Sequence, residues 1–273
     1  MKCFSLKCYD LIDSYDDRIV PLLRRMSYLE KLTLYLCIGD RDRFIDGTHL
    51  QDEILAYMPQ LHSFSFYICT YAKMTGLIHH LSNEDIQRTF TNIGQQHVAG
   101  IVNYNDPERI VCHIFSIPFI FDRLENIGNI FPNIIFSYVT YLLIDDVVSF
   151  DRTFFIRVGR AFPLLKTFYI WNFESAQISN FPNDQSYEIA EYPHLTYLDM
   201  FCADIDYLEQ FLNEKVTYVP RLEKLKVIYN KLRIVTNNFT REETRRNCAK
   251  ITQLLIRIPL VQPKDFYLYF PLL

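Results

Sequence analysis

The chain has 273 residues, of which 49% are hydrophobic and 22% are charged, a composition typical of a folded globular protein. Its net charge of −4 is too small to attract nucleic acid or an anionic membrane without specific contacts, so neither partner is expected. Seven glycines argue against a Gly-rich phosphate loop. The chain shows no signal-peptide core and no apolar run of membrane-spanning length, so we expect a cytoplasmic or nuclear protein.

One apolar pattern recurs along the chain and organises it. It reads L-x-x-L-x-L, and in three copies a cysteine or asparagine follows, at Cys37, Cys69 and Asn230. The first apolar residues of the seven copies are Met1, Leu29, Leu61, Val139, Leu165, Leu195 and Leu222. Adjacent copies within the two regular runs are separated by between 26 and 32 residues. A nearly fixed period in this range indicates a solenoid, in which each copy is one strand.

Segments of helical period lie between the copies. They cover residues 17–26, 48–58, 121–131, 150–162 and 204–212, and several end just before a proline. Because proline disfavours helical geometry in the residue before it, these positions are repeated helix stops that lead into strands. Helix and strand in alternation predict an α/β fold with parallel strands on a concave face and helices on a convex face. We expect residues 1–273 to form a single domain of this kind.

The pattern is irregular over residues 70–117. A helix is predicted for residues 84–94, with Ser82 or Asn83 as its N-cap, and strands are predicted for residues 97–104 and 109–117. Residues 105–108, with the sequence Asn-Asp-Pro-Glu, have the composition of a turn between these two strands. Val111, Ile114 and Ser116 form a degraded copy of the repeat. We therefore expect an irregular repeat that contains an inserted turn.

The last part of the chain, residues 240–273, is predicted to cap the end of the solenoid. Residues 240–243, with the sequence Thr-Arg-Glu-Glu, match a capping box, and the helix they open is expected to bury Cys248 and Ile251. The inner face of this helix would continue through Leu254 or Leu255. Residues 265–270 are rich in Phe and Tyr and are predicted to form a last strand.

These repeats resemble those of leucine-rich-repeat proteins, in the group with longer repeats and a Cys or Asn after the strand. The chain is most similar to the repeat portion of F-box/leucine-rich-repeat proteins, and the likeness covers almost its whole length. The resemblance implies a horseshoe-shaped leucine-rich-repeat solenoid. It also implies a role as the substrate receptor of an SCF-type ubiquitin ligase. In that family an F-box precedes the repeats, so we expect an F-box or its adaptor partner to lie outside this chain.

Side chains alternate along a strand, so the residues between the apolar positions are expected to point to the concave face. The middle repeats place aromatic and charged residues there. The predicted protein-binding residues are Tyr141, Asp145, Tyr169, Trp171, Tyr197, Asp199, Phe201, Lys224 and Lys226. Aromatic residues framed by charges are typical of a binding surface, although cross-strand packing alone also explains aromatic ladders. We favour a non-enzymatic scaffold that binds a protein on this face.

Two alternatives remain open. One is an enzyme with its site in the irregular region near Cys112 and His113, and the other is a diverged remnant without a partner. The chain contains no HExxH, CxxC or GxSxG motif, so no catalytic residue, metal or cofactor is expected. His79-His80, Asp16-Asp17 and Asp145-Asp146 are the other groups that could carry chemistry, and none belongs to a catalytic or metal-binding motif.

Overall fold

The computed structural model describes residues 2–73, 82–90, 97–106, 109–145, 147–172, 188–256 and 263–273. Their secondary structure is α/β, with helices and largely parallel sheets, as the sequence predicts. The chain divides into two compact units. Unit 1 comprises residues 1–121 and 130–132, and unit 2 comprises residues 122–129 and 133–273. That residues 1–273 form a single domain stays a prediction.

Unit 1 contains a five-stranded sheet. Its strands are β1 (Cys3–Ile12), β2 (Lys31–Arg41), β3 (Ser63–Lys73), β4 (His97–Asp106) and β5 (Arg109–Ile117), in the order β1-β2-β3-β5-β4. The first three strands are parallel, and their register aligns Phe4 with Leu32 and Leu32 with Phe64. The first three copies of the apolar pattern therefore lie side by side, as the repeat requires.

The prediction that all strands are parallel is wrong in unit 1. Strand β5 runs antiparallel to both β3 and β4, so the degraded copy at Val111 and Ile114 is not a repeat strand of the same direction. The physical reason is the short connection after Asp106, because a tight turn can join only antiparallel strands, whereas a parallel pair needs a long crossover. The two predicted strands themselves, over 97–104 and 109–117, are confirmed.

Short helices accompany the strands of unit 1. A π-helical turn (Tyr15–Ile19) leads into α1 (Val20–Arg24), and α2 (Gly47–Glu53) is followed by a 3₁₀ turn (Leu55–Tyr57). The N-cap of α2 is Asp46, whose carboxylate accepts a hydrogen bond from the His49 N–H at 2.9 Å. Helix α3 (Asn83–Arg88) begins at a capping box in which Ser82 and Asp85 bond reciprocally, which confirms Ser82 as the predicted cap.

Unit 2 contains a six-stranded parallel sheet and a small two-stranded one. The strands in chain order are β6 (Arg123–Ile127), β7 (Tyr141–Asp145), β8 (Thr167–Trp171), β9 (Ala190–Glu191), β10 (Tyr197–Asp199), β11 (Thr217–Tyr218), β12 (Lys224–Lys226) and β13 (Gln253–Leu255). The larger sheet has the order β13-β12-β10-β8-β7-β6, and β9 pairs with β11. Successive strands of the larger sheet therefore follow the chain, which is the order that stacked repeats produce.

Helices cover one face of the large sheet. They are α4 (Arg152–Ala161), α5 (Ile205–Leu212), α6 (Tyr229–Val235), α7 (Glu242–Cys248) and α8 (Phe266–Tyr269). The ring of Phe211 on α5 lies 5.8 Å from that of Phe168 on β8 and 5.2 Å from that of Phe155 on α4. The residues of the central apolar row, which are Leu142, Phe168, Leu198 and Leu225, are all 0% exposed. The predicted inward direction of this row is confirmed.

The predicted helix over residues 121–131 is wrong, because β6 occupies this segment. The apolar residues Leu124 and Ile127 are three apart in the sequence, which suggested a helix, and the structure buries both. In the structure the pairing of β6 with β7 shifts register between them, and Asn126 has a left-handed φ of 56°. A bulge of this kind adds one residue to a strand, so side chains three apart point to the same side.

Three predictions for residues 240–273 are wrong and one is confirmed. Helix α7 exists and buries Cys248, but the Thr240 hydroxyl donates to the Asn237 carbonyl at 2.7 Å and does not cap the helix. Leu254 and Leu255 belong to β13 and not to a helix face. The predicted strand over 265–270 is helix α8, because Phe266, Tyr269 and Phe270 pack together on Phe239 at helical spacing.

Truncating the central apolar row should destabilise the protein strongly. We expect Leu198→Ala to lower the free energy of unfolding by about 2–5 kcal/mol, because Leu198 is fully buried and its removal leaves a cavity. Ile234→Ala, at a largely exposed position on α6, is the control and should change stability by less than about 0.5 kcal/mol. Urea denaturation of both variants measures the difference, and equal losses would contradict the register.

Candidate functional site

The candidate site is the open face of the large sheet in unit 2, defined as the face opposite the helices. The alternation along each strand brings most of the predicted residues to this face. Tyr141 and Asp145 lie on β7, Tyr169 and Trp171 on β8, Tyr197 and Asp199 on β10, and Lys224 and Lys226 on β12. Phe201 lies in the turn that follows β10. Asp145 is the register partner of Trp171, Tyr197 that of Lys224, and Asp199 that of Lys226.

Three tyrosines form a ladder across β7, β8 and β10. The ring centroids of Tyr141 and Tyr169 are 5.1 Å apart, and those of Tyr169 and Tyr197 are 5.5 Å apart. The contacts are diagonal, because the register aligns Tyr141 with Thr167 and Tyr169 with Asp199. The Tyr197 hydroxyl also donates a hydrogen bond to Asp199 Oδ2 at 3.3 Å. The predicted neighbourhood of these rings is therefore confirmed, and their orientations are mutually fixed.

Asp199 is not the exposed charge that the sequence suggested. Its residue exposure is 2%, because three donors surround its carboxylate. The Lys226 ammonium donates to Oδ2 at 2.9 Å, the Tyr197 hydroxyl donates to Oδ2 at 3.3 Å, and the Phe201 N–H donates to Oδ1 at 3.0 Å. Asp199 therefore organises the turn after β10 and holds Lys226 against the sheet.

Two aromatic residues of the open face, Trp171 and Phe201, are exposed. Trp171 is 37% exposed and Phe201 is 48% exposed, whereas the ladder tyrosines are half-buried. The Lys226 ammonium lies 5.5 Å from the centre of the Phe201 ring, close enough for a cation–π contact. Lys224, on the same strand as Lys226, is exposed. The face thus combines two exposed aromatic rings with cationic groups.

The sequence did not predict two features of the open face. The Arg123 guanidinium on β6 stacks 4.1 Å from the centre of the Tyr141 ring, and it also forms an ion pair with Glu125. Both residues fell inside the predicted helix, although the polar-apolar-polar order of residues 123–125 was a strand signal. Leu255, the register partner of Lys226, adds an exposed apolar group on β13.

Two hydroxyls of the ladder, those of Tyr141 and Tyr197, stay protonated near neutral pH. Desolvation, and then the nearby Asp199 carboxylate, raise the pKa of Tyr197 far above its ordinary value. Desolvation, and then Glu125, do the same to the pKa of Tyr141. The hydrogen bond to Asp199 raises the pKa of Lys226, more than desolvation lowers it, so this group stays cationic. The face therefore presents neutral hydroxyls and a fixed positive charge.

The geometry in unit 1 does not support a catalytic Cys–His pair. Adjacent residues of a strand point to opposite faces, so Cys112 and His113 diverge. Cys112 lies in the core on the helix side, and burial raises the pKa of its thiol far above the ordinary value. His113 is fully buried on the other face, where its Nδ1 lies 3.0 Å from the Tyr67 hydroxyl. The enzyme alternative gains no assembled site from these residues.

The structure describes only some of the other groups singled out in the sequence. Asp16 forms an ion pair with Arg41. His79, His80 and Asp146 lie outside the described residues. Among the residues that the structure describes, no group of three or more His, Cys, Asp or Glu side chains could hold a metal ion. Within the same ranges, no helix is both long and apolar enough to cross a membrane.

Comparison of the chain with protein-family models, with curated proteins and with solved structures finds no match in any of the three.

Removing the Asp199 carboxylate should destabilise the turn after β10. We expect Asp199→Ala to lower the free energy of unfolding by about 1–3 kcal/mol, because it leaves three donors without their acceptor in a buried position. Asp199→Asn keeps one side-chain oxygen as an acceptor and has nearly the same size, so it should lower the free energy of unfolding by less. Chemical denaturation measures both variants, and an Asp199→Ala protein as stable as the wild type would show that the network is not structural.

The buried thiol of Cys112 should be unreactive in the folded protein. We expect iodoacetamide at pH 7.5 to modify the exposed Cys3 and to leave Cys112 unmodified until the protein is unfolded in urea, because Cys112 is buried and its pKa is raised. Peptide mass spectrometry after alkylation locates the modified residues. Rapid modification of Cys112 in the native protein would instead support a reactive thiol in this region.

Proposed function

We propose that this chain is a non-enzymatic, leucine-rich-repeat-type scaffold that binds a protein partner on the open face of unit 2. The observation that carries the proposal is the pair of exposed rings, Trp171 and Phe201, beside an ordered ladder of tyrosines. Trp and Tyr are the residues that most often dominate the free energy of protein binding. Large exposed aromatic groups on a folded surface commonly mark an interaction site.

The open face is preorganised, which favours binding over simple exposure. The ladder tyrosines are held by ring contacts, the Tyr197 hydroxyl donates to Asp199, and Lys226 is held by Asp199. Side chains that are already ordered lose little conformational entropy when a partner binds. Tyrosine also offers both an apolar ring and a hydrogen-bonding hydroxyl at an interface. A partner with apolar side chains and acidic or carbonyl groups fits this combination.

The finer part of the proposal concerns the ubiquitin system. The order of the strands in unit 2 and the resemblance of the repeats to F-box/leucine-rich-repeat proteins support a substrate-recognition role in an SCF-type ubiquitin ligase. The sequence of the transcript upstream of Met1 tests this part separately. An F-box in that sequence would support the receptor role, and another kind of domain would contradict it.

Site-specific photocrosslinking tests the binding face. A benzoylphenylalanine placed at Phe201 should form an adduct with one partner protein, because this ring is exposed on the open face. Trp171→Ala in the same chain should lower the adduct yield by about tenfold or more, as truncation of a central aromatic residue does. The unfolding midpoint should stay nearly unchanged, since Trp171 is partly exposed.

The matched control is the same photoreactive residue at Tyr218. Tyr218 is also an exposed aromatic side chain, but it lies on β11, which packs beside α5 on the helix side. We expect no adduct with the same partner from this position. Equal adducts from both positions, or a yield that Trp171→Ala does not lower, would refute the assignment of the face.

A further inference from the structure

The two edges of the sheet in unit 1 are not equivalent. At one edge, side chains of α3 bond to the outer peptide groups of β4. The Val102 N–H donates to Asn83 Oδ1 at 2.6 Å, and Gln87 Nε2 donates to the Val98 carbonyl at 2.8 Å. These contacts occupy backbone groups that another strand would otherwise use, which is how proteins protect a sheet edge. The β4 edge is therefore blocked.

The other edge, formed by β1, has no such cover within the described residues. Strand β1 is ten residues long and pairs only with β2. The Lys2 carbonyl accepts hydrogen bonds from the N–H groups of Glu30 and Lys31, so Lys2 directs its peptide groups toward β2. Since successive residues of a strand direct these groups to opposite sides, Cys3, Ser5 and Lys7 direct theirs away from the sheet. These free donors and acceptors can receive another strand.

The apolar row of β1 is also only partly buried. Phe4 and Leu6 pack against the core of unit 1 but stay partly exposed. Their register partners on β2, Leu32 and Leu34, are almost fully buried. Beyond the row, Leu11 is 57% exposed. A strand laid along β1 would therefore cover apolar surface as well as satisfy backbone groups.

We propose that β1 pairs antiparallel with β1 of a second copy of this chain, around a two-fold axis at Leu6. In this register, Ser5 of each copy lies opposite Lys7 of the other, so the outward peptide groups bond to each other. Lys2 keeps its ion pair with Glu30 of the same chain, and the bulge after Cys8 ends the regular pairing before Asp10. Phe4 lies opposite Cys8, and the two Leu6 side chains meet on the core side.

Charge and chemistry select this register over its neighbours. If the axis passed through Lys7, two ammonium groups would lie opposite each other, and like charges in directly opposed positions are destabilising. If it passed through Ser5, Lys2 would lie opposite Cys8, which would place an ammonium group beside the apolar row. The strand is thus self-complementary about Leu6, which a closed two-fold dimer requires. This inference is independent of the open face and goes beyond the proposed function.

Sedimentation velocity of the 273-residue chain, from ~1 to ~100 µM, tests the proposal. We expect a monomer–dimer equilibrium in the wild type. Ser5→Pro should raise the dimer dissociation constant by about tenfold or more, because proline removes an outward N–H that the chain itself does not use. Ser5→Ala keeps this N–H and should dimerise as the wild type does.

A cross-link tests the register and does not depend on the proline variant folding. In a Cys3→Ser, Cys8→Ser background, Leu6→Cys should form an intermolecular disulfide under mild oxidation, since the two residues are directly opposed at the axis. Thr48→Cys, an exposed position on α2, is the control and should not cross-link. A wild type that is monomeric at every concentration would overturn the proposal. The proposal would also be overturned by a dimer that Ser5→Pro does not weaken and that Leu6→Cys does not cross-link.

Discussion

The constraint on which the structure depends is the common register of apolar side chains across neighbouring parallel strands. In unit 2 the row through Leu142, Phe168, Leu198 and Leu225 is fully buried beneath the helices. A shift of one residue in any of these strands would turn its apolar side chains outward and its polar ones into the core. The cost of that exchange fixes the register. It thereby fixes which side chains reach the open face.

The open face follows from this register, but its properties follow from contacts between strands. The tyrosine ladder runs diagonally, so each ring packs on a residue two positions away from its register partner. Asp199 becomes buried because the turn after β10 delivers a backbone N–H to it while β12 delivers an ammonium group. Both effects order side chains before any partner arrives. They distinguish a preorganised surface from a row of exposed aromatic residues.

The same apolar arrangement has a different consequence at the β1 edge of unit 1. Each inner strand has neighbours on both sides, whereas β1 has one. Its apolar row is therefore half-covered, and its outward peptide groups have no strand to pair with in the described residues. The β4 edge of the same sheet avoids this condition through Asn83 and Gln87. The dimer that we propose rests on this difference between the two edges.

The sequence by itself determined the α/β class, the parallel strands at the repeated apolar pattern, the buried row and the existence of β4 and β5, because each depends on local spacing. Only the tertiary structure decided the strand at 123–127, the helix at 266–269 and the burial of Asp199. A bulge at Asn126 gives a strand the side-chain spacing of a helix, and packing on Phe239 overrides the strand preference of an aromatic run. The environment of Asp199 is made by residues from β10 and β12, which are distant in sequence and meet only in the folded protein.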